Sequence, residues 1–163
     1  MFEQFSDKSQ IWIYGFNKNL TENEKMIVKD ALNQFKAGWL YHGQPVLGDF
    51  SILHDRFALL VTNDNISGCS IDSSVAVFKN LKTNNNLDAL DQDLIFIRSS
   101  DGIVSLSRSE FRELVKNDAI PDDTIVFNLM INNLGDFRNG QFELKFADSW
   151  HSKAFKKRLK ESV

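Results

Sequence analysis

Short apolar runs and helical stripes alternate along the chain, and their spacing predicts the elements. Ile11-Trp12-Ile13-Tyr14-Gly15-Phe16 is a run of β-branched and aromatic residues between polar flanks, as in a buried strand. Thr21 with Glu24 three residues on forms a capping box, and Ile27, Val28, Ala31, Leu32, Phe35 and Trp39 then recur at helical spacing. A helix from Glu22 to Ala37 follows, with Gly38 near its end. After a loop holding Gly43, Pro45 and Gly48, the runs Phe50 to Leu53 and Phe57 to Val61 flank the polar His54-Asp55-Arg56 and read as a hairpin. The run Ser67 to Ser74 leads into Ile71, Val75, Phe78 and Leu81, a helical stripe starting near Ser70 and ending in Thr83-Asn84-Asn85-Asn86. Leu94-Ile95-Phe96-Ile97 gives a fourth strand. Residues 11–98 thus read βαββαβ, an α+β fold with the split βαβ order of a ferredoxin-like sheet.

The rest of the pattern extends that core without a linker, so residues 1–163 are expected to form a single domain, with 1–9 a flexible N-terminal arm. Ser100-Asp101-Gly102 is a tight-turn signal that folds Ile103 to Leu106 back on the fourth strand. Ser107 and Glu110 form a second capping box, with Leu106 and Phe111 in the staple positions, and predict a helix to Lys116. Thr124 to Ile131 and Gln141 to Phe146 read as two more strands, joined by a loop containing Gly135 and Gly140. A helix from Trp150 closes the chain.

Composition narrows the classes of partner. The 163 residues are 42% hydrophobic and 25% charged, as in an ordinary globular protein. A formal charge of −3 and a pI near 5.6 supply no molecule-wide cationic field, which disfavours nucleic acid as a partner. The start, Met1-Phe2-Glu3-Gln4-Phe5-Ser6-Asp7, lacks the basic and apolar regions of a signal peptide, and no apolar run approaches membrane-spanning length. One cysteine cannot form an internal disulfide, consistent with a cytoplasmic, reducing setting.

That cysteine is the first candidate for chemistry. In Ser67-Gly68-Cys69-Ser70-Ile71-Asp72-Ser73-Ser74, Ser70 or Asp72 reads most simply as a helix cap. Free N–H groups at such a helix start, together with the helix dipole, would also seat a small anionic ligand or a peptide end. The same dipole would favour a Cys69 thiolate, although Asp72 in the first turn would compete for its positive end. A thiol enzyme would need a histidine base, and only His42, His54 and His151 exist. His54 falls in a hairpin turn, leaving His42 or His151 for that role. Neither Cys-x-x-Cys, His-x-His nor His-Glu-x-x-His occurs, so no metal site is expected, and the missing Gly-Lys-Ser/Thr run excludes a P-loop ATPase. No cofactor is implied.

The C-terminal helix offers a different chemistry. Lys153, Lys156, Lys157, Arg158 and Lys160 stand against Trp150, Phe155 and Leu159, and from residue 148 onward the net charge is +3, leaving −6 for the remainder. Such an end complements its own helix dipole. It would also suit RNA or an acidic partner.

With Trp39, His42-Gly43, Gly68-Cys69-Ser70-Ile71-Asp72-Ser73-Ser74-Val75 and Ser149-Trp150-His151 in view, the chain resembles a family of small uncharacterised bacterial proteins commonly labelled ABC transporter ATPases. The resemblance spans about Trp12 to His151 and implies no established activity. The sequence has neither a Walker A run nor a Leu-Ser-Gly-Gly-Gln signature, so the label does not extend to ATP hydrolysis. What the resemblance implies is one shared site drawn from Trp39, His42, Cys69, Ser70, Asp72, Ser73, Trp150 and His151. The expectation from sequence is therefore a binding or interaction module, with a Cys69 thiol enzyme and a basic-tail RNA or acidic-partner binder as alternatives.

Overall fold

The computed structural model describes the backbone of residues 1–63 and 68–161, and the side chains of 1–63 and 73–156. β1 (Gln10–Gly15) is the first apolar run, and α1 (Glu22–Ala37) opens at Thr21. Thr21 Oγ1 accepts the Glu24 N–H at 3.2 Å while Glu24 Oε1 accepts the Thr21 N–H at 3.0 Å, the reciprocal box that its sequence spells. The expected loop after α1 contains a small hairpin, β2 (Leu40–Tyr41) and β3 (Gln44–Pro45). A larger hairpin follows, β4 (Gly48–Leu53) and β5 (Phe57–Thr62). Next comes α2 (Gly68–Asn85).

α2 begins two residues ahead of Ser70, so Ser70 and Asp72 lie within the helix rather than capping it, and no acidic residue occupies its first turn. The competition expected from Asp72 at the first turn is therefore corrected. Packing against β1 holds the body of this helix, through Tyr14 Oη and Ser74 Oγ at 2.9 Å and the Tyr14 and Phe78 rings stacked at 3.9 Å. Tertiary contact of this kind overrides the weak local preference of capping-type residues.

The chain then forms β6 (Leu94–Ser99), β7 (Gly102–Ser107), α3 (Arg108–Lys116), β8 (Ile125–Phe127), α4 (Leu134–Arg138), β9 (Glu143–Lys145), a 3-10 turn at Phe146–Asp148 and α5 (Trp150–Glu161). The class is α+β. Where the sequence shows no linker, the contacts divide the chain into two compact units. The first is Met1–Asp91 with Leu129–Asn139, the second Gln92–Asn128 with Gly140–Val163. Among the described residues no helix is long and apolar enough to cross a membrane.

In the first unit an antiparallel sheet of order β1-β5-β4 carries α1 and α2 on one face. Period-2 alternation sends Ala58 and Leu60 toward the helices, where Phe16, Val28, Leu32, Trp39, Phe78 and Leu81 complete the core. Arg56 is buried beside it, donating from Nε to the Phe16 carbonyl and from Nη1 to Asn19 Oδ1, both at 3.1 Å. These three strands stand in the order expected of a ferredoxin-like core. The fourth strand of that βαββαβ pattern, β6, lies in the sheet of the second unit, where a tight hairpin gives it β7 on one edge and β8 takes the other. Beside β1 lies instead the segment before α4, with the Ile11 N–H donating to the Asn132 carbonyl at 3.2 Å and a bridge between Gln10 and Asn133.

Residues 1–9, expected as a flexible arm, are packed. Phe2 and Phe5 are buried, edge to face at 6.3 Å, and the Leu134 and Gly135 N–H groups donate to the Ser9 and Asp7 carbonyls, both at 2.9 Å. Arg138 donates to Asp7 Oδ1 at 2.7 Å and to the Phe2 carbonyl at 2.8 Å.

The second unit is an antiparallel sheet of order β7-β6-β8-β9, with Ile95, Ile97, Val104, Leu106 and Val126 facing α3 and α5. The strand expected over Thr124 to Ile131 stops at Phe127, since Leu129-Met130-Ile131 leave for the first unit. The expected loop after it contains α4, capped by Asn133 Oδ1, which accepts the Asp136 N–H at 2.8 Å.

Candidate functional site

Two helices of the second unit, α3 and α5, build a cationic arrangement. The second capping box starts α3, with Ser107 Oγ accepting the Glu110 N–H at 3.1 Å and Glu110 Oε1 accepting the Ser107 N–H at 3.2 Å. Phe111 and Val115 turn inward and are buried. Helical geometry then places Arg108, Arg112 and Lys116, each four residues apart, in one stripe along the border of the buried face. α5 starts at Ser149, which is fully buried and donates from Oγ to the Phe146 carbonyl at 2.8 Å while accepting the Ser152 N–H at 3.4 Å.

The two helices meet through aromatic contacts. Phe111 packs edge to face on Phe155 at 4.9 Å and on His151 at 6.0 Å, and the Arg112 guanidinium lies 6.0 Å from the Phe155 ring centre. Arg108 acts electrostatically on His151, one turn back in both helices. α3 and α5 therefore run side by side in the same direction, with Arg108 near His151 and Arg112 over Phe155. One turn on, Lys116 follows in α3, and the α5 sequence continues Lys157-Arg158.

Among the described residues the cations of α3 form no ion pair. In this unit the described ion pairs are Arg98 with Glu143 and Lys156 with Asp122, both at 2.8 Å, and Arg108, Arg112, Lys116 and Lys153 take part in none. Glu110 is turned back onto the Ser107 N–H. Glu113 is the other acidic residue of α3.

The residues expected to share a site are distributed as follows. Trp39 belongs to the first unit and is a core residue, 4.7 Å from the Phe35 ring and 6.4 Å from Trp12, with Gly48 beneath its indole. His42 is exposed at the tip of the β2–β3 hairpin, where His42 and Gly43 have φ of 51° and 76° as a two-residue type I′ turn demands. Ser73 is exposed on α2 while its neighbour Ser74 is buried against Tyr14. The side chains of Cys69, Ser70 and Asp72 lie outside the described residues. Trp150 and His151 belong to the second unit and stack at 3.9 Å with an interplanar angle of 25°.

His151 is 2% exposed, and burial, reinforced by the nearby Arg108 cation, pulls its imidazole down to about 4. It is therefore neutral at pH 7. Its Nδ1 and the Trp150 Nε1 are buried without a hydrogen-bond partner among the described residues. No three His, Cys, Asp or Glu side chains among the described residues converge as metal ligands.

A shallow cleft of about 390 Å³ also lies between α1 and α2, with Ile27, Ala31, Val77 and Leu81 below and Gln34 and Asn80 at its rim. Asp30 is the one charged side chain in its lining. It offers shape with little chemistry.

The stripe on α3 is the feature that sequence reading missed. Its signal was present as Arg108, Arg112 and Lys116 at four-residue spacing, which by itself is the pattern of any solvated helix face. What singles it out is the neighbouring basic helix.

Neither a family model, nor a curated protein, nor a solved structure matches the chain. The fold and site define an α+β protein of two units, one of which carries a row of exposed and half-buried cations on α3 beside α5.

Proposed function

We propose that this protein works by binding, and that its binding surface is the cationic seam of α3 and α5, which takes an anionic partner. The observation that supports this is the row of Arg108, Arg112 and Lys116 on α3, packed beside α5, with none of the three in an ion pair among the described residues. Surface cations with acidic neighbours settle into pairs of little energetic worth. A group left unpaired keeps its field for an incoming anion. The cytoplasmic setting suggested by the single cysteine goes with this reading.

Retention on a sulfated polysaccharide resin at low salt tests it, since a net charge of −3 by itself favours exclusion. The triple variant Arg108→Gln/Arg112→Gln/Lys116→Gln is expected to flow through. A control, Lys8→Gln/Lys29→Gln/Lys79→Gln, makes the same change in net charge at exposed sites of the first unit and is expected to be retained. Equal behaviour of the two variants would reject the assignment of the surface.

A further inference from the structure

Building on that reading, we infer that the anionic partner is the phosphate backbone of a single-stranded nucleic acid, laid along α3 with a base against Trp150. Three observations point to phosphate rather than to carboxylates of an acidic protein. The α3 cations repeat every four residues, which at 1.5 Å rise per residue is a step of about 6 Å, so a regular row of charges faces a polymer whose charges are also regular. Two of the three are arginines, whose planar forks match phosphate oxygens in pairs of hydrogen bonds. On the partner helix the half-buried Trp150 is stacked on His151 at 3.9 Å, and His151 packs on Phe111 of α3, so an indole belongs to the same helix pair as the row. Base stacking uses such an indole, whereas the carboxylates of an acidic peptide gain nothing from it.

The whole-chain charge of −3, which spoke against nucleic acid, carries less weight at this surface. At physiological ionic strength charges beyond about 8 Å are largely screened, so a bound strand responds to the seam and not to acidic residues elsewhere.

The experiment is fluorescence anisotropy on the full chain with three labelled probes across a salt series: oligodeoxythymidine, the same strand in a duplex, and a poly-glutamate peptide. The single strand is expected to bind best. Because each neutralised phosphate contributes about 0.7 to the slope of log K against log salt for single strands, the triple glutamine variant on α3 should flatten that slope by about 2. Trp150→Leu is expected to weaken single-strand binding about ten-fold with the slope unchanged, and Trp150→Phe to restore most of it. Circular dichroism confirms that each variant is folded. Preference for poly-glutamate would overturn the nucleic-acid inference while leaving the anionic-partner reading standing. Preference for the duplex would overturn the single-strand assignment. Failure of every probe at low salt, or an unchanged slope in the triple variant, would overturn both.

Discussion

At His42 the side chain is secondary to the backbone. The hairpin needs positive φ at two successive residues, and His42-Gly43 supplies one permissive glycine and one histidine that tolerates the region. Gly43→Ala is expected to cost about 1 kcal/mol by placing a Cβ in the left-handed region, whereas His42→Asn should be neutral or mildly stabilising; chemical denaturation of both variants checks the pair. His151 is the opposite case, a side chain whose chemistry is decided by its surroundings. Its pKa is about 4 folded against 6.5 unfolded, so above pH 6.5 it is neutral in both states and favours folding fully. Between pH 6.5 and 4 the unfolded chain takes up a proton that the folded one refuses, and stability falls by on the order of 3 kcal/mol. His151→Phe should therefore narrow the gap between denaturation midpoints at about pH 7.5 and about pH 4.5. An unaltered gap would show that the imidazole titrates as if exposed.

Elements with local signals were legible, and those held by distant contacts were not. Both capping boxes begin their helices where Thr21-Glu24 and Ser107-Glu110 place them, because a cap is a contact among four consecutive residues. The hairpin turning at Ser100-Asp101 is equally local. By contrast β2 and β3 have two residues each and no periodicity to read, and α4 is five residues long with only Asn133 to announce it. The start of β4 depends on a neighbour remote in sequence. A Cβ on Gly48 would come within 2.6 Å of Trp39 Cζ3 and 3.2 Å of the Val61 carbonyl, so this strand passes under the indole only without a side chain. Gly48→Ala is expected to destabilise by about 1–3 kcal/mol through overpacking. Tryptophan fluorescence during unfolding would report both the loss and a shifted Trp39 environment.

At the scale of the molecule the chain crosses between units three times, entering the second at Gln92, leaving it after Asn128 and returning at Gly140. The excursion is closed at its base, where the Asn128 N–H donates to the Phe142 carbonyl at 2.8 Å. Residues 129–139 hold the N-terminal segment of the first unit through Asp7, Ser9 and Arg138. Replacing them with a short Gly-Ser turn is therefore expected to expose amides near residues 5–11 to hydrogen exchange while leaving β6, β7 and α3 protected. Loss of protection in both units would contradict that division. The amino-acid sequence by itself determined the class of the fold, α1, α3, the two long hairpins and the basic character of α5, since each follows from capping, turn or periodicity within a short window. It could not place β6, whose apolar run suits any sheet with two open edges, nor end β8, whose continuation is just as apolar. The candidate surface divides in the same way. A row of cations on α3 and the basic character of α5 are written in the sequence, but only the packing of Phe111 on Phe155 sets the two helices side by side, and charge acts through distance in space rather than along the chain.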